Sequence, residues 1–396
     1  MRILYGVQAT GQGHISRARA MAEALEQHDV EVQWLFSGRP RERLFDMEPF
    51  GDYLHRRGLS FATRQGRISY VGTLTSQNLP AAIAEVIRLD VRDYDFIVTD
   101  YEPVSAWAGR LRGVRTLGIG HQYAFGPGTP LTGDAWHSRL VMRHFAPVDE
   151  ALGLHWHPFN GKVLPPLLDL PEQTGEMNDH VVVYLPFEDQ QRVSDWLQQF
   201  SAQRFIQFSA DLDDEEHGNV LRRRANIKHF KQALWSSRGV ICNSGFELVS
   251  ECLQWRKPVL TKPLAGQLEQ LSNALALETL DYARTMHSLD DRVTAQWLAA
   301  MPEAPDVHFG DVASVLAAWL AAGAKEAVET LGARLWRPRQ FARFDSVIDG
   351  GAPNAAISSR RPPQSRSGNA PLSGNGAGTP RSVAGRRTGL CELPRG

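Results

Sequence analysis

GVQATGQGHISRARA, residues Gly6–Ala20, follows the apolar run RILY and joins a strand pattern to a helix pattern through a glycine turn. The apolar residues predict a buried strand, and the alanine-rich segment predicts a helix. Gly11 and Gly13 between them predict a tight turn whose backbone reaches positive φ. A strand, a glycine turn and a helix in this order are typical of α/β proteins that place backbone amides against a phosphate group. The stretch therefore predicts an α/β fold with a ligand site at the end of its first strand.

The same alternation of strand and helix patterns occurs on both sides of a central break. It runs through VRTLGIG (114–120) and starts again at HVVVYLPF (180–187), while the segment 160–180 between them is rich in proline, glycine and polar residues. Such alternation predicts parallel sheets covered by helices. We therefore expect two Rossmann-like domains that face a central cleft, where a ligand would bind.

Changes in composition give the expected domain boundaries. We expect a first domain over residues 1–165, a linker over 166–180, a second domain over 181–330 and a helix over 331–349 that crosses back to the first domain. Residues 350–396 predict a disordered tail, because proline, glycine, serine and arginine dominate and apolar residues are sparse. The arginines of the tail suit a nucleic acid or an anionic membrane, but a tail without a fixed role is the favoured interpretation.

Composition limits the class of protein. The chain has 396 residues, of which 42% are apolar and 22% charged, and its net charge is −1, so the overall charge does not indicate a nucleic-acid partner. Cys242, Cys252 and Cys391 form no C-x-x-C pair, which argues against a zinc site or a disulfide framework and favours a reducing compartment. The apolar start is too short for a signal peptide, and no run reaches the roughly 18 apolar residues that span a bilayer. The expected location is the cytoplasm.

The opening glycine turn does not fit a dinucleotide site. GQGHIS (11–16) has Ser16 where the G-x-G-x-x-G fingerprint has its third glycine. The second predicted strand ends at Ser37 without the acidic residue that would hold a ribose. No G-K-[ST] follows, which excludes a P-loop.

His14 in the turn and Asp100 at the end of FIVTD (96–100) both lie at predicted carboxyl edges of strands. A carboxylate beside a histidine fixes its tautomer and stabilises its imidazolium, as a general base requires. We interpret His14 as the base and Asp100 as its partner; a histidine that only caps the turn is the alternative. The other candidates in this half are Gly11, Gly13 and Arg17, which would contact a phosphate or an acceptor, and Tyr101 and His121, which would contact the acceptor.

GVICNSGFELVSECLQWRKPVLTKPLAGQLEQLSNA (239–274) carries the strongest signal in the second half. A buried strand runs into a turn at Gly245, where a helix begins, and a second strand ends at Pro263 before another helix. Backbone amides at the start of the helix could bind a diphosphate, and the Glu251 carboxylate could accept hydrogen bonds from both hydroxyls of a ribose. Polar residues of the second loop suit the hydroxyls of a sugar. The candidate donor-site residues are Asn243, Ser244, Gly245, Phe246, Glu251, Gln267, Glu269 and Gln270.

This stretch resembles the nucleotide-sugar motif of GT-B glycosyltransferases, in particular the UDP-glycosyltransferases and the lipid-linked GlcNAc transferase of peptidoglycan synthesis. Those families have a glycine turn, a glutamate six residues later, a proline, and an acidic residue or glutamine followed by Q-x-x-N-A. Here these are Gly245, Glu251, Pro263 and EQLSNA (269–274). GQGHISR (11–17) is similar to the G-x-G-H-x-x-R turn of the lipid-acceptor branch. The resemblance extends over roughly residues 1–344. Within these families, the chain most resembles a bacterial and archaeal group of such transferases.

The resemblance implies a GT-B fold whose first domain binds an acceptor and whose second binds a nucleotide sugar. It also implies an inverting hexosyl transfer in which His14 deprotonates a hydroxyl acceptor, a lipid or a cell-envelope glycan, while a UDP-type diphosphate leaves. Neither a cofactor nor a metal is expected, because no D-x-D motif lies in a suitable loop and helix N-termini would compensate the diphosphate; DLDDEE (211–216) is expected to be a solvated loop. The alternatives are a UDP-GlcNAc 2-epimerase and a non-catalytic nucleotide-sugar-binding protein.

Two residues depart from the resemblance, and the loop AGQLEQ (265–270), two residues longer than in the plant type, leaves open whether Gln267 or Glu269 meets the sugar. Asn243 stands where plant-type members have a phosphate-binding histidine, and Glu247 stands where they have a neutral asparagine. A carboxylate at that position would repel a diphosphate unless it pointed away. The segment 134–159 mixes aromatic residues with arginine and histidine, which suits either a peripheral contact with anionic lipids at the inner face of the membrane or a helix pair that covers the core.

Overall fold

The computed structural model describes residues 1–336, apart from 45, 60–62, 65–66, 69–78, 127, 133–141, 143, 160–161 and 172–174. The tail expected over 350–396 and most of the helix expected over 331–349 lie outside these residues. The described strands are β1 (Arg2–Gln8), β2 (Glu31–Ser37), β3 (Leu54–His55), β4 (Thr63–Arg64), β5 (Arg67–Ile68), β6 (Phe96–Asp100), β7 (Thr116–Gly120), β8 (Glu150–Leu154), β9 (Val163–Leu164), β10 (His180–Tyr184), β11 (Arg204–Ser209), β12 (Glu215–His217), β13 (Val220–Arg224), β14 (Gly239–Cys242), β15 (Val259–Thr261) and β16 (Arg284–Thr285). The described α-helices are α1 (Gln12–Leu25), α2 (Leu79–Arg88), α3 (Pro103–Arg112), α4 (Gln190–Gln198), α5 (Ile227–Ser236), α6 (Phe246–Gln254), α7 (Leu268–Thr279), α8 (Asp291–Ala299), α9 (Val312–Ala321) and α10 (Val328–Leu335).

The first sheet has seven strands in the order β3-β2-β1-β6-β7-β8-β9, and all of them run parallel. Strands with both faces covered by helices need apolar residues at nearly every position. β1 satisfies this requirement, since six of its seven residues are buried. The strand order reverses between β1 and β6, and the crevice at the carboxyl ends of two such strands is where open α/β sheets bind ligands.

The second sheet repeats this topology in the order β12-β13-β11-β10-β14-β15-β16. Its strands are parallel except for β12, which pairs antiparallel with β13. The strand order reverses between β10 and β14. The α/β class with two parallel-rich sheets is thereby confirmed. The expectation of a loop over 211–216 is wrong at its end, because Glu215 and Glu216 begin the antiparallel edge strand β12.

The core of the first half is built by α1 against β1. Ile15, Ala18, Met21 and Leu25 recur at helical spacing and are buried, and a fully buried Ile, Met or Leu side chain contributes about 1.5–3 kcal/mol. The apolar pattern after residue 310 forms two helices, α9 and α10, of which α9 packs on α1. Beyond α10 the Trp336 indole donates to a carbonyl of β9 at 2.6 Å, so the end of the described chain contacts the first sheet.

Candidate active site

His14 and Asp100 come together at the carboxyl edge of the first sheet. Asp100 ends β6 beside Val7 of β1, and His14 lies in the first turn of the helix that follows β1. His14 Nδ1 is 2.9 Å from Asp100 Oδ1. The His14 side chain is 13% exposed and that of Asp100 only 2%. The ring therefore keeps an accessible edge while its carboxylate partner is buried.

Arg17 completes this group. Its Nε and Nη2 donate to the two oxygens of Asp100 at 3.0 and 2.9 Å, and Nη1 donates to Glu247 Oε2 at 2.6 Å. Nη2 also lies 2.9 Å from His14 Nδ1. Burial alone would raise the pKa of Asp100, but Arg17 and His14 outweigh it and hold that pKa at about 2. The expected contact of Arg17 with a phosphate or acceptor does not hold in this structure, because the guanidinium is buried against two carboxyl groups.

The expectation of positive φ in the glycine turn is wrong, while the phosphate or acceptor contact expected of Gly11 and Gly13 stays a prediction. Gly11 is the N-cap of α1 with φ of −113°, and Gly13 lies inside the helix, so neither adopts positive φ. A Cβ at Gly13 would lie 3.1 Å from Cβ of Glu247 on α6. Gly13 therefore permits α1 to approach a helix of the second half of the chain.

Glu247 does not act as the repelling carboxylate that the sequence suggested. Its Oε2 accepts from Arg17, and burial raises its pKa to about 8, outweighing the lowering by Arg17. Burial therefore favours the protonated form of Glu247, while the contact with Arg17 favours the carboxylate. Its Oε1 is buried and has no hydrogen-bond partner among the described residues.

Tyr101 is held in an unusual conformation directly after Asp100. Its φ is +57°, which costs a non-glycine residue about 1–3 kcal/mol. Its hydroxyl donates to the carbonyl of Met142 at 2.8 Å, and the side chain is buried. The acceptor role expected for Tyr101 does not fit this position, since its hydroxyl already binds within the protein.

His121 is likewise a structural residue. It is fully buried, with Nδ1 2.8 Å from the Leu154 carbonyl and Nε2 2.8 Å from Asn273 Oδ1. Its ring stacks on that of Phe246 with a centroid distance of 4.0 Å and an interplanar angle of 4°. Both residues therefore join the two halves of the chain, and neither the acceptor role expected for His121 nor the donor role expected for Phe246 fits. Burial at an interface of two halves leaves no local signal in the sequence.

At the start of α6, the side chain of Ser244 is turned away from the cleft. Its hydroxyl is fully buried and donates to the Gln270 carbonyl at 2.8 Å. Asn243 Nδ2 donates to the Lys262 carbonyl, whereas its Oδ1 is buried without a partner among the described residues. Gly245 is the N-cap of α6, and space lies open where its Cβ would be. Ser244 therefore shapes the turn, while the amides after Gly245 and the Asn243 oxygen remain for a ligand.

Three helices that follow strands at the carboxyl edges lack side-chain caps, whereas α3, which follows β6, is capped by Glu102. No side chain accepts from the first turn of α1, α6 or α7. Acidic or amide side chains cap α3, α4, α5, α8 and α9, while α10, away from the carboxyl edges, is also uncapped. Uncapped first-turn amides are the donors that bind anions at helix N-termini.

Glu251 forms a buried ion pair that the sequence did not predict. Its Oε1 accepts from Lys231 Nζ, which also donates to the Asp169 carbonyl at 3.2 Å. Burial raises the pKa of Glu251, and Lys231 opposes that change. The expected use of both carboxylate oxygens on a ribose does not fit, because Lys231 holds Oε1. Nothing in the spacing of α5 and α6 could have shown this pair.

The loop before α7 contributes residues with separate roles. Gln267 is the N-cap of α7, and its Oε1 is buried without a partner within the described chain. Glu269 Oε2 accepts from Gln122 Nε2 of the first half at 3.1 Å. Gln270 Oε1 accepts from the Leu264 amide at 2.9 Å and so holds the loop. Gln122 therefore meets this loop at Glu269 although no motif indicated it, and a sugar contact of Gln267 or Glu269 stays a prediction.

The described part of the segment 134–159 is largely buried, and the membrane contact expected of this segment stays a prediction. Residues 133–141 and 143 lie outside the description, and the remainder contains β8 and the fully buried Trp156, whose indole donates to Ser250 at 2.7 Å. A helix pair is absent from residues 144–159. Within the described part of the chain, no helix is both long and apolar enough to cross a bilayer. No group of three potential metal ligands occurs there either.

Comparisons with known proteins agree with this architecture. The sequence profile described as glycosyl transferase family 1 matches residues 1–302. No curated protein sequence matches the chain. Among solved structures, the glycotransferase of kitacinnamycin has a TM-score of 0.57 at 12% identity, over 88% of this chain and 98% of that one. UGT89C1 of Arabidopsis thaliana, complexed with quercetin, has a TM-score of 0.55 at 14% identity, over 88% and 98%. Its complex with UDP has a TM-score of 0.52 at 13% identity, over 88% and 99%.

The two parallel-rich sheets and the likeness to these solved structures define a GT-B fold. The chain belongs to glycosyl transferase family 1, whose profile covers three quarters of its length.

Proposed function

We propose that this enzyme transfers a sugar from a UDP-linked donor to a hydroxyl acceptor, with inversion at the anomeric carbon. The observation that carries the proposal is the juxtaposition of the His14–Asp100 pair with three uncapped helix N-termini. A general base and a set of anion-binding amides are what a transfer from a diphosphate needs. The structures of UGT89C1 with quercetin and with UDP show that a protein of this fold binds such molecules.

His14 would act through Nε2. When Nδ1–H donates to Asp100, the Nε2 lone pair is free to take the proton of the acceptor hydroxyl. The acceptor oxygen then attacks the anomeric carbon from the face opposite the diphosphate. The bond from that carbon to the diphosphate oxygen breaks, and UDP leaves with the electron pair. The proton remains on His14 until solvent removes it.

The second half of the chain would hold the donor. Amides of the first turn of α6 would bind the diphosphate, and Glu247 would oppose them little because its carboxyl group is paired with Arg17. Glu251 would meet the ribose with Oε2, and Gln267 and Glu269 would bind the sugar. Because helix amides compensate the leaving charge, the proposed reaction needs neither a metal nor a cofactor. The acceptor would be a lipid or glycan hydroxyl met in the cytoplasm or at the inner face of the membrane.

The test is a donor screen. Purified protein is incubated with UDP-, GDP- and TDP-sugars in the presence of membrane extract, and the released diphosphate is measured. We expect UDP release from wild type, near-complete loss in His14→Ala, and no change in His28→Ala, a matched substitution just after α1. Donor binding by calorimetry without release from any donor would contradict the proposal and favour a non-catalytic binding protein.

A further inference from the structure

Arg17 has contacts that the proposed transfer does not by itself explain. The side chain is 4% exposed, and its guanidinium grips both oxygens of Asp100 in a two-pronged contact. Its remaining terminal nitrogen, Nη1, donates to Glu247. Two-pronged contacts between arginine and carboxylate fix geometry as well as charge. Asp100 is thus oriented from two sides, by the ring of His14 and by Arg17.

Three separate elements converge on this guanidinium. His14 and Arg17 lie three positions apart on α1, so that they share a helix face. Asp100 comes from the end of β6, and Glu247 comes from α6, 230 positions beyond Arg17 in the sequence. Gly13 allows the helices to approach, since a Cβ there would press on Glu247. The guanidinium is therefore anchored from both halves of the chain.

We propose that Arg17 is a positioning residue for the general base: it fixes Asp100 against His14 and places its positive charge beside the imidazole, and Glu247 anchors it from the donor half. This inference rests on the proposed function, because it takes His14 as the base. Arginine stays protonated in proteins. The Arg17 guanidinium is a permanent cation with Nη2 2.9 Å from His14 Nδ1, so its charge opposes the addition of a second proton to the ring. It also offsets the negative charge of Asp100, which favours that proton.

The other charges around His14 act less directly. Glu247 reaches the guanidinium rather than the ring, and Tyr5 of β1 interacts with Asp100 and Arg17. Burial raises the pKa of Tyr5 far above its usual range, so this group stays neutral. Arg17 and Asp100 are therefore the charges whose removal should change the protonation of His14.

The experiment follows the ring of His14 by NMR in the full chain with isotope-labelled histidine, the signal being assigned by its loss in His14→Ala. The variants are R17Q, which removes the cation; R17K, which keeps it without the two-pronged contact; and D100N, which removes the carboxylate. R19Q is the matched control, since Arg19 lies on the same helix and contacts the Asp46 carbonyl instead. This readout needs no substrate.

We expect the titration midpoint of His14 to rise by at least one pH unit in R17Q and to fall by a similar amount in D100N. It should stay within about half a pH unit of wild type in R17K and R19Q. If R17Q does not fold, the titration midpoint of His14 in D100N and the kcat of R17K still test the proposal. A midpoint that stays at the wild-type value in D100N, or in a folded R17Q, would overturn the proposal.

Kinetics give the second readout. With the donor found in the screen, R17K should lower kcat about tenfold while the donor KM stays within about twofold of wild type. An R17K enzyme with unchanged kcat would overturn the positioning role. A wild type that transfers no sugar would instead contradict the proposed function, and the titration would still decide the role of Arg17.

Discussion

Replacement of His14 by alanine tests the chemistry most directly. The change removes the ring whose Nδ1 lies 2.9 Å from Asp100, and it leaves that carboxylate with both hydrogen bonds from Arg17. Because Asp100 remains paired, we expect the fold to survive. A positioned general base contributes about 10²–10⁴ in rate, or roughly 3–5 kcal/mol at 1.36 kcal/mol per tenfold. The expected result is therefore a fall of that size in kcat.

The assay compares kcat, donor KM and the pH profile of diphosphate release. His14→Ala should leave donor affinity nearly unchanged, since the ring contacts the acceptor proton rather than the donor. Asp100→Asn should lose less activity than His14→Ala, because Asp100 only orients and stabilises the base. Wild-type activity should fall at low pH as the ring becomes protonated and can no longer accept a proton. Near-normal turnover in His14→Ala would refute this reasoning, and a loss confined to donor affinity would make His14 a phosphate ligand.

Three further predictions concern the donor site, the interface and the tail. Glu251→Gln should weaken UDP binding at least tenfold in calorimetry, because a hydrogen bond to a charged group contributes about 1.5–3 kcal/mol. Glu278→Gln, at an exposed position of α7, is the control and should not weaken binding. Equal affinities of Glu251→Gln and wild type would show that Glu251 does not contact the donor. Glu247 has a pKa raised to about 8, so its favourable contribution to stability is complete below about pH 4.5 and is lost as the pH rises through 8. The melting temperature of Glu247→Gln should therefore rise relative to that of wild type as the pH increases from 5 to 9. If the difference between the two melting temperatures does not change with pH, Glu247 stays ionised beside Arg17. Removal of the residues after Gly350 should leave melting temperature and turnover unchanged; lost activity would show that this segment serves the enzyme.

The parts of the site that sequence predicted are those in which a residue follows its strand directly. Asp100 ends β6, and the turn at Gly245 follows β14. In a parallel sheet the ends of neighbouring strands meet at one edge, so an order of apolar runs is enough to bring His14 and Asp100 together. The same reasoning placed the start of α6 at the facing edge of the second sheet. These predictions depended only on local pattern and on a general rule of topology.

The failures have one physical cause. His121 looked like a residue of the cleft because it ends a strand, but the packing of the two halves buries it against Phe246. Glu251 looked free, but Lys231 of a neighbouring helix occupies one of its oxygens. Whether a polar side chain faces a ligand or a protein partner depends on what packs against it. That partner is set by contacts between distant segments.

The sequence by itself determined the α/β class, the repeated order of strands and helices, and the edges at which His14 and the donor motif lie, because period and turn residues are local properties of the chain. Tertiary structure alone decided the contacts of Arg17, the raised pKa of Glu247 and the reason for glycine at position 13. Each of these depends on the approach of α1 to α6, where burial and one shared guanidinium connect residues 230 positions apart. Desolvation and pairing act over a few ångströms of space, and distance along the chain does not measure them.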